Sequence, residues 1–418
     1  MQFSSFGQRM TSDSGTQQLM NDLGAVHGSD TPPIMLGGGN PALIPEVQDL
    51  FAARLQALAQ NPAELNQTIG LYDGQRGDQR FLVSLAKLLK AHLGWPITAE
   101  NIAITNGSQS AFFFLFNLFA GMHADGKRRR VLLPMAPEYV GYADQGIEPD
   151  MFVARKPRIE LLEEGLFKYR LDLDNFEIPD DIGAICVSRP TNPTGNVLTE
   201  AELETLLEAA RVRDIPLLID NAYGTPFPDI VFRDAPPIYS DHSIICLSLS
   251  KLGLPGVRTG IVIGPVDVIA AVGAMNAVVS LSSNSLGPSL VSELVESGEL
   301  ITLSQTLIRP FYEQRAAVAL DWLKRAVIDL PVRVHKPEGT FFFWLWCDDI
   351  PITSAQLYER IKRRGVVVVA GHHFFPGLDE PWQHKTECLR INYSGPEADV
   401  RRGFEIIGEE VRAAYAGA

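Results

Sequence analysis

The stretch SIICLSLSKLGLPGVRTGIVIG, residues 243–264, holds two apolar runs joined by a lysine, a glycine- and proline-bearing turn and an arginine. Each run is almost continuously apolar, the pattern of a strand covered on both faces rather than one with a wet side. The question it raises is why such a strand ends in an amine, Lys251, and then folds back through a constrained turn carrying Arg258. A lone lysine at a strand end is ordinarily solvated or paired with an acid.

Runs of the same kind recur on the N-terminal side: NIAIT (101–105), RVLLP (130–134), GAICVS (183–188) and IPLLID (215–220). Longer helical patterns separate them. In LTEAELETLLEAARVRD, Thr199 and Glu202 have capping-box spacing, and Leu203, Leu206, Leu207 and Ala210 follow at helical period. This alternation predicts an α/β fold with a large, mainly parallel sheet, whose ligand site lies at the carboxyl ends of the strands. Further on, GTFFFWLW, TSAQLYERIKRRG, VVVVAG, ECLRINYS and EADVRRGFEIIGEEVRAAY read as a smaller α+β domain. We expect a large domain over 51–315, a small one over 316–418, and a segment 1–50 that contributes to the small one.

Composition narrows the function classes. A chain of 418 residues that is 46% apolar can bury a substantial core. With 36 basic against 50 acidic residues, a net charge of -14, it is poorly suited to nucleic acid or an anionic membrane surface. The basic run Lys127–Arg130 reads as a solvated turn leading into VLLP. The four cysteines lack metal-ligand spacing, and Cys186 and Cys246 sit inside apolar runs, so we expect buried thiols, no disulfide framework and a reducing cytoplasm. The start of the chain lacks a signal-peptide pattern, and AFFFLFNLFAG (111–121) is too short to span a bilayer. The adjacent His372 and His373 lack companion ligands, so no metal is expected.

The strand exits carry the chemistry. PLLIDNAYG delivers Asp220 and, three residues later, Tyr223; SRPTNPTGN delivers Asn192; the opening stretch delivers Lys251. In TNGSQSAFFF, Gly107, Ser108 and Gln109 open a helix whose free N–H groups and dipole favour a phosphate. A ligand with a phosphate, a ring nitrogen, a phenolic oxygen and an aldehyde would use all four pieces. Pyridoxal phosphate has these groups.

The ordered set IMLGGGNPA, YDGQRG, TNGSQSAFFFLFNLFAG, APEYVGYAD, CVSRPTNPTGNV, IDNAYGTPFP, SLSKLGLPGVR, HKPEGTFFFWLW, HHFFPGLD and LRINY resembles the fold-type I, pyridoxal-phosphate-dependent aminotransferases of the aspartate aminotransferase superfamily. The resemblance covers nearly the whole chain. It implies that Lys251 holds the cofactor covalently and moves the substrate proton, that Asp220 pairs with the ring nitrogen, and that Asn192 and Tyr223 hydrogen-bond the phenolic oxygen. Tyr139 would stack on the ring, and Ser108, Gln109, Ser248, Ser250 and Arg258 would hold the phosphate. Tyr72 would reach the phosphate of a neighbouring subunit, which implies a homodimer with shared sites. Arg390 would grip the substrate α-carboxylate beside a backbone contact at Gly38.

Tyr142 reads instead as an aromatic that fills the core, and Arg189, at its strand exit, either pairs structurally, the favoured reading, or reaches the cofactor. The implied reaction is transamination between amino acids and 2-oxo acids. Small apolar donors, alanine and valine, are favoured because the motifs supply no clear second arginine for a side-chain carboxylate. A β-eliminating lyase of the same fold, or an aminotransferase with other donors, is the alternative. A regulator with an aminotransferase-like domain would carry a basic winged helix first, and IMLGGGNP at residue 34 leaves it no room.

Overall fold

The apolar runs become neighbours in one eight-stranded sheet. Its order is Ile102–Thr105, Gly260–Ile263, Ser243–Ser248, Leu217–Asp220, Ile182–Ser188, Arg128–Leu133 and Gly121–Met122, with Phe152–Ala154 also paired to Arg128–Leu133. This is a computed structural model, and it describes residues 1–26 and 32–417. From Ser243–Ser248 to Arg128–Leu133 the pairing is parallel. Gly260–Ile263 is antiparallel to both of its neighbours. The chain between residues 248 and 260 is too short to cross over the sheet, so the second run of the opening stretch must return beside the first.

Helices cover the sheet. In Glu200–Arg213 the capping box forms: Thr199 N–H donates to the Glu202 carboxylate at 2.8 Å, and the Thr199 hydroxyl accepts from Glu202 N–H. Leu203, Leu206 and Ala210 are buried, and each leucine contributes about 1.5–3 kcal/mol of burial. The phenylalanine-rich run forms the helix Ser108–Phe119 against the sheet. The basic run differs from its sequence reading: Arg128, Arg129 and Arg130 lie within a strand and pair with Glu148, Asp125 and Asp181. The four cysteines are buried and free.

A second, six-stranded sheet has the order Val369–Ala370, Cys388–Asn392, Phe342–Cys347, Val332–His335, Leu166–Arg170 and Arg158–Leu161. Its last two strands come from the middle of the chain, between two strands of the first sheet, so its pairing crosses the 315/316 division drawn from sequence. A buried ion pair joins Lys168 of that hairpin to Glu338. Lys168 Nζ also donates to Val197 O, and Glu338 accepts from Val197 N–H, both at 3.1 Å. This stitches the hairpin to the segment that follows Ile182–Ser188.

Ile34–Met35 pairs in parallel with Val366–Val367, so the N-terminal segment lies beside the C-terminal elements. The VVVVAG run is split, its second half pairing with Cys388–Asn392. Among the described residues no helix is long and apolar enough to cross a membrane.

Candidate active site

The parallel strands of the first sheet end side by side, and register sets Asp220 opposite Ser188 on one neighbour and Cys246 on the other. Past Ser248 the chain tightens into a single 3₁₀ turn, Ser250–Leu252, with Ser250 N–H donating to Ser248 Oγ at 3.1 Å. That turn sends the Lys251 amine inward. Nζ donates to Gly39 O at 2.8 Å and lies 5.3 and 5.5 Å from the ring centres of Tyr223 and Phe341. Burial, reinforced by the charges of Arg390 and Arg258 and opposed by Asp220, pushes the amine down to about 8.

Arg258 closes the turn in the left-handed region, φ +48°, which a non-glycine residue adopts only when its surroundings hold it there. Its guanidinium comes back against the start of the Ser108–Phe119 helix, where a Cβ built on Gly107 would occupy the space of the guanidinium. A Cβ on Gly260 would stand 2.5 Å from Gly107 C and Ser108 N. Two absent side chains therefore let an arginine and a helix N-terminus share one spot, which is a cradle for an anion.

Asp220 is held by two donors: Ala222 N–H to Oδ1 at 3.0 Å and Tyr142 O–H to Oδ2 at 2.8 Å. Burial raises its carboxyl, while these bonds and the Lys251 charge act the other way.

Arg390 arrives from the second sheet, on Cys388–Asn392, and is almost fully buried. Its guanidinium donates to Asn192 Oδ1 at 2.8 Å and to Gly37 O at 2.6 Å, and its carbon lies 4.3 Å from the Phe342 ring centre. Both acceptors are neutral, and Nε has no partner among the described residues. Burial disfavours its charge, yet a guanidinium stays protonated in proteins. A buried cation without an anion is costly unless a ligand supplies one.

One cavity is lined by Ser108, Gln109, Tyr139, Asn192, Asp220, Tyr223, Ser248, Ser250, Lys251, Arg258 and Arg390. Gly38 lies off it, and so does Tyr72, expected at a neighbouring subunit's site. Tyr72 is 80% exposed, and the Gly38 carbonyl accepts from Asn392 instead, while its neighbours Gly37 and Gly39 supply the carbonyls to Arg390 and Lys251. Arg189 bonds the carbonyls of Leu198 and Pro236 at 3.1 and 2.7 Å, a structural pairing to backbone. His373 bonds Gln18 and His372 bonds Ser354, and no cluster among the described residues has the make-up of a metal site.

Sequence reasoning missed Tyr142, set aside as core but bonded to Asp220, and also Ser188, Gly39 and Leu19, which line the cavity. Gly39 alone had a signal, its place in the GGG run. Leu19 belongs to the helix Gly15–Val26, which Asp22 pins to Tyr358 and Lys362 at 2.6 and 2.7 Å.

Residues 34–407 match the family described as aminotransferase class I and II. The chain belongs to that family. Over 417 residues this aminotransferase is 49% identical to the valine–pyruvate aminotransferase of Escherichia coli strain K12, spanning 100% of this chain and 99% of the relative. A solved putative amino-acid aminotransferase from Psychrobacter arcticum 273-4 matches with TM-score 0.96 and 45% identity, covering 100% of both chains. The solved valine-pyruvate aminotransferase of Salmonella typhimurium LT2 matches with TM-score 0.89 and 47% identity, over 96% of this chain and 100% of that one. The fold is thus the fold-type I aminotransferase fold, as the motifs led us to expect. Aminotransferases of this fold use pyridoxal phosphate.

The surroundings of Lys251 generate a direct expectation. In cofactor-free aminotransferase, its acylation rate should rise with pH through a midpoint of about 8 as the neutral amine appears. An exposed lysine titrates at about 10.4. Peptide mapping of the acylated residue against pH measures this, and a midpoint near that of an exposed lysine would contradict the burial account.

Proposed function

We propose that this aminotransferase binds pyridoxal phosphate in the cavity and catalyses L-valine + pyruvate = 3-methyl-2-oxobutanoate + L-alanine. The observation that carries the reading is the sealed Arg390 guanidinium, which has only neutral partners and an unused Nε beside the amine of Lys251. A substrate α-carboxylate supplies the missing anion in a geometry that a planar guanidinium fork suits.

The residues present fit the cofactor. The cradle at Gly107, which a Cβ would fill, offers Ser108, Gln109, Ser248, Ser250 and Arg258 to a phosphate. Asp220 presents an acceptor to a ring nitrogen. Asn192, whose amide oxygen is taken by Arg390, has its amide N–H groups to give to a phenolic oxygen, with Tyr223 beside it. Tyr139 lines the same cavity as a flat face. When bound, pyridoxal phosphate supplies an aldehyde for the lysine and a ring that draws electron density from the substrate Cα.

The chain's own residues do the rest. Arg390 fixes the substrate by its carboxylate, which orients the Cα–H bond. Lys251, whose free amine burial pushes down to about 8, would be the base placed to take the Cα proton. Asp220, kept an acceptor by two donors, stabilises positive charge on the ring nitrogen. Arg258 faces the helix start and Arg189 is tied to backbone, so neither is left for a substrate side-chain carboxylate. Leu19 adds an apolar wall. These features favour small apolar substrates, in keeping with the full-length similarity to valine–pyruvate aminotransferase.

We also propose a homodimer with shared sites. Ile69, Leu71 and Tyr72 are exposed, as are Val278, Val279 and Leu281. The two segments are tied together nearby, Ser285 bonding Asp73 and Asn276 bonding the Gln75 carbonyl. A joint apolar patch of this kind suits a subunit contact, and two-fold dimers are the commonest soluble assembly.

Borohydride reduction of the pyridoxal-phosphate-loaded protein should leave the pyridoxyl group on Lys251 in a peptide map; label on another lysine would overturn the assignment. In a donor panel with pyruvate or 3-methyl-2-oxobutanoate as acceptor, kcat/KM for alanine and valine should exceed that for aspartate and glutamate by about a hundredfold or more, since an unpaired buried charge costs about 3–5 kcal/mol. Aspartate or glutamate as the best donor would refute the substrate reading but not the chemistry. Sedimentation should give a dimer, and Tyr72→Phe should weaken cofactor binding without dissociating it. A dilution-resistant, fully active monomer would contradict the shared site.

A further inference from the structure

Behind the cavity a line of polar groups leads back from Asp220 and Tyr142 to Ser188 and Glu138, and none of the roles above uses the last two. Glu138 lies at the exit of the Arg128–Leu133 strand and is 1% exposed. Its Oε1 accepts from Ser188 N–H at 3.0 Å, and its Oε2 lies 2.5 Å from Ser188 Oγ. Ser188 Oγ is in turn 3.3 Å from the Tyr142 hydroxyl, which donates to Asp220 Oδ2 at 2.8 Å. Three neighbouring strand exits thus connect one carboxyl group to another.

Counting protons along this line distinguishes two states. Each hydroxyl has one proton to give, and the Tyr142 proton is committed to Asp220. An ionised Glu138 would draw the Ser188 proton to itself. The Ser188 and Tyr142 oxygens would then face each other with no proton between them, and a carboxylate would be sealed against neutral partners. If Glu138 is protonated, it donates to Ser188, Ser188 to Tyr142 and Tyr142 to Asp220. Every link is filled, and all donors point the same way.

We propose that Glu138 is a neutral acid heading a one-way hydrogen-bond chain, through Ser188 and Tyr142, that keeps Asp220 an ionised acceptor for the ring nitrogen of the cofactor. The proposal rests on Asp220 having that partner. Burial supports it, pushing Glu138 up to about 8 against the opposing bonds from Ser188, and the charge of Asp220 adds to the rise. The other titratable groups facing this line are Tyr139 and Tyr142 on its own segment, Cys186 and Cys246 on the adjacent strands, and Lys251 and Tyr223 beside Asp220. Burial raises both carboxyls, but Asp220 has two donors and the Lys251 charge acting against the rise, so Glu138 holds the proton and Asp220 the charge. Glu138 touches no reacting atom, so its part is positioning.

The test compares the wild type, Glu138→Gln and Tyr142→Phe, each cofactor-free and loaded with pyridoxal phosphate. In infrared difference spectra at neutral pH, the carbonyl band of an un-ionised carboxylic acid should be present in the wild type, absent in Glu138→Gln, and should fade as pH rises through about 8. Glutamine can donate to Ser188 as the neutral acid does, so Glu138→Gln should keep kcat/KM within about threefold. Tyr142→Phe, which cuts the chain at Asp220, should lower it roughly tenfold and shift the pH midpoint of the visible absorption of the bound cofactor. No acid band at neutral pH, or a Glu138→Gln loss as large as that of Tyr142→Phe, overturns the proposal. Failure of the wild type to bind pyridoxal phosphate overturns the reading of Asp220 and the proposal with it. That failure is told apart because the acid band is read in cofactor-free protein.

Discussion

Lys251, Arg258 and Arg390 converge on a cavity whose lining offers a single carboxylate, Asp220. In a chain of net charge -14, this is a local reversal of sign, with Arg390 buried, Lys251 part-buried and Arg258 reaching the surface. The cations cannot share the strain equally. Guanidinium groups keep their protons, so the ammonium of Lys251 is the one that yields, its basicity depressed first by burial and then by the two neighbouring guanidinium charges. The glycines at 107 and 260, the left-handed turn at Arg258 and the aromatic rings beneath Arg390 all hold this charge in place. An amine made into a base and two guanidinium groups suited to anions are consequences of one electrostatic constraint.

The site lies where the two sheets meet. Arg390 from the second sheet is bonded to Asn192, just past a strand of the first, and to the Gly37 carbonyl of the N-terminal segment. Lys251 of the first sheet bonds Gly39 in that same N-terminal segment. Each charged group is therefore fixed by a piece of chain remote in sequence, and the GGG run is the common backstop. A Cβ on Gly39 would stand 3.8 Å from the Lys251 amine, while one on Gly37 would crowd the Val368 carbonyl at 2.9 Å.

Much of this was legible in the sequence, for physical reasons that also mark the boundary. Strands buried on both faces must be continuously apolar, so NIAIT, GAICVS, IPLLID and SIICLSL announce themselves, and the polar residue that ends each run is conspicuous. Asp220, Asn192 and Lys251 were found that way. Tyr142 was not, because a tyrosine three residues after Tyr139 reads as packing unless its hydroxyl partner is known. Glu138 gave no signal either, since an acid after a proline looks like an exposed turn, and its burial depends on strands far along the chain. Which of three consecutive glycines turns a carbonyl toward Lys251 is a matter of backbone direction, which residue type does not encode. The 158–170 hairpin is too short and too polar to declare which sheet it will join.

That hairpin changes what can be cut. Its inner strand, Leu166–Arg170, is covered on one side by Arg158–Leu161 and on the other by Val332–His335, which enters more than a hundred and fifty residues later. A fragment ending near residue 315 would leave that edge open, with the fully buried Phe167 beside it and Lys168 deprived of Glu338. An uncovered strand edge is a template for pairing with other chains. During synthesis the first sheet can be completed before Val332–His335 emerges, so the hairpin waits, adhesive, until the C-terminal strands arrive. The chain is thus sewn back and forth between its sheets, and neither can be lifted out as an independent part.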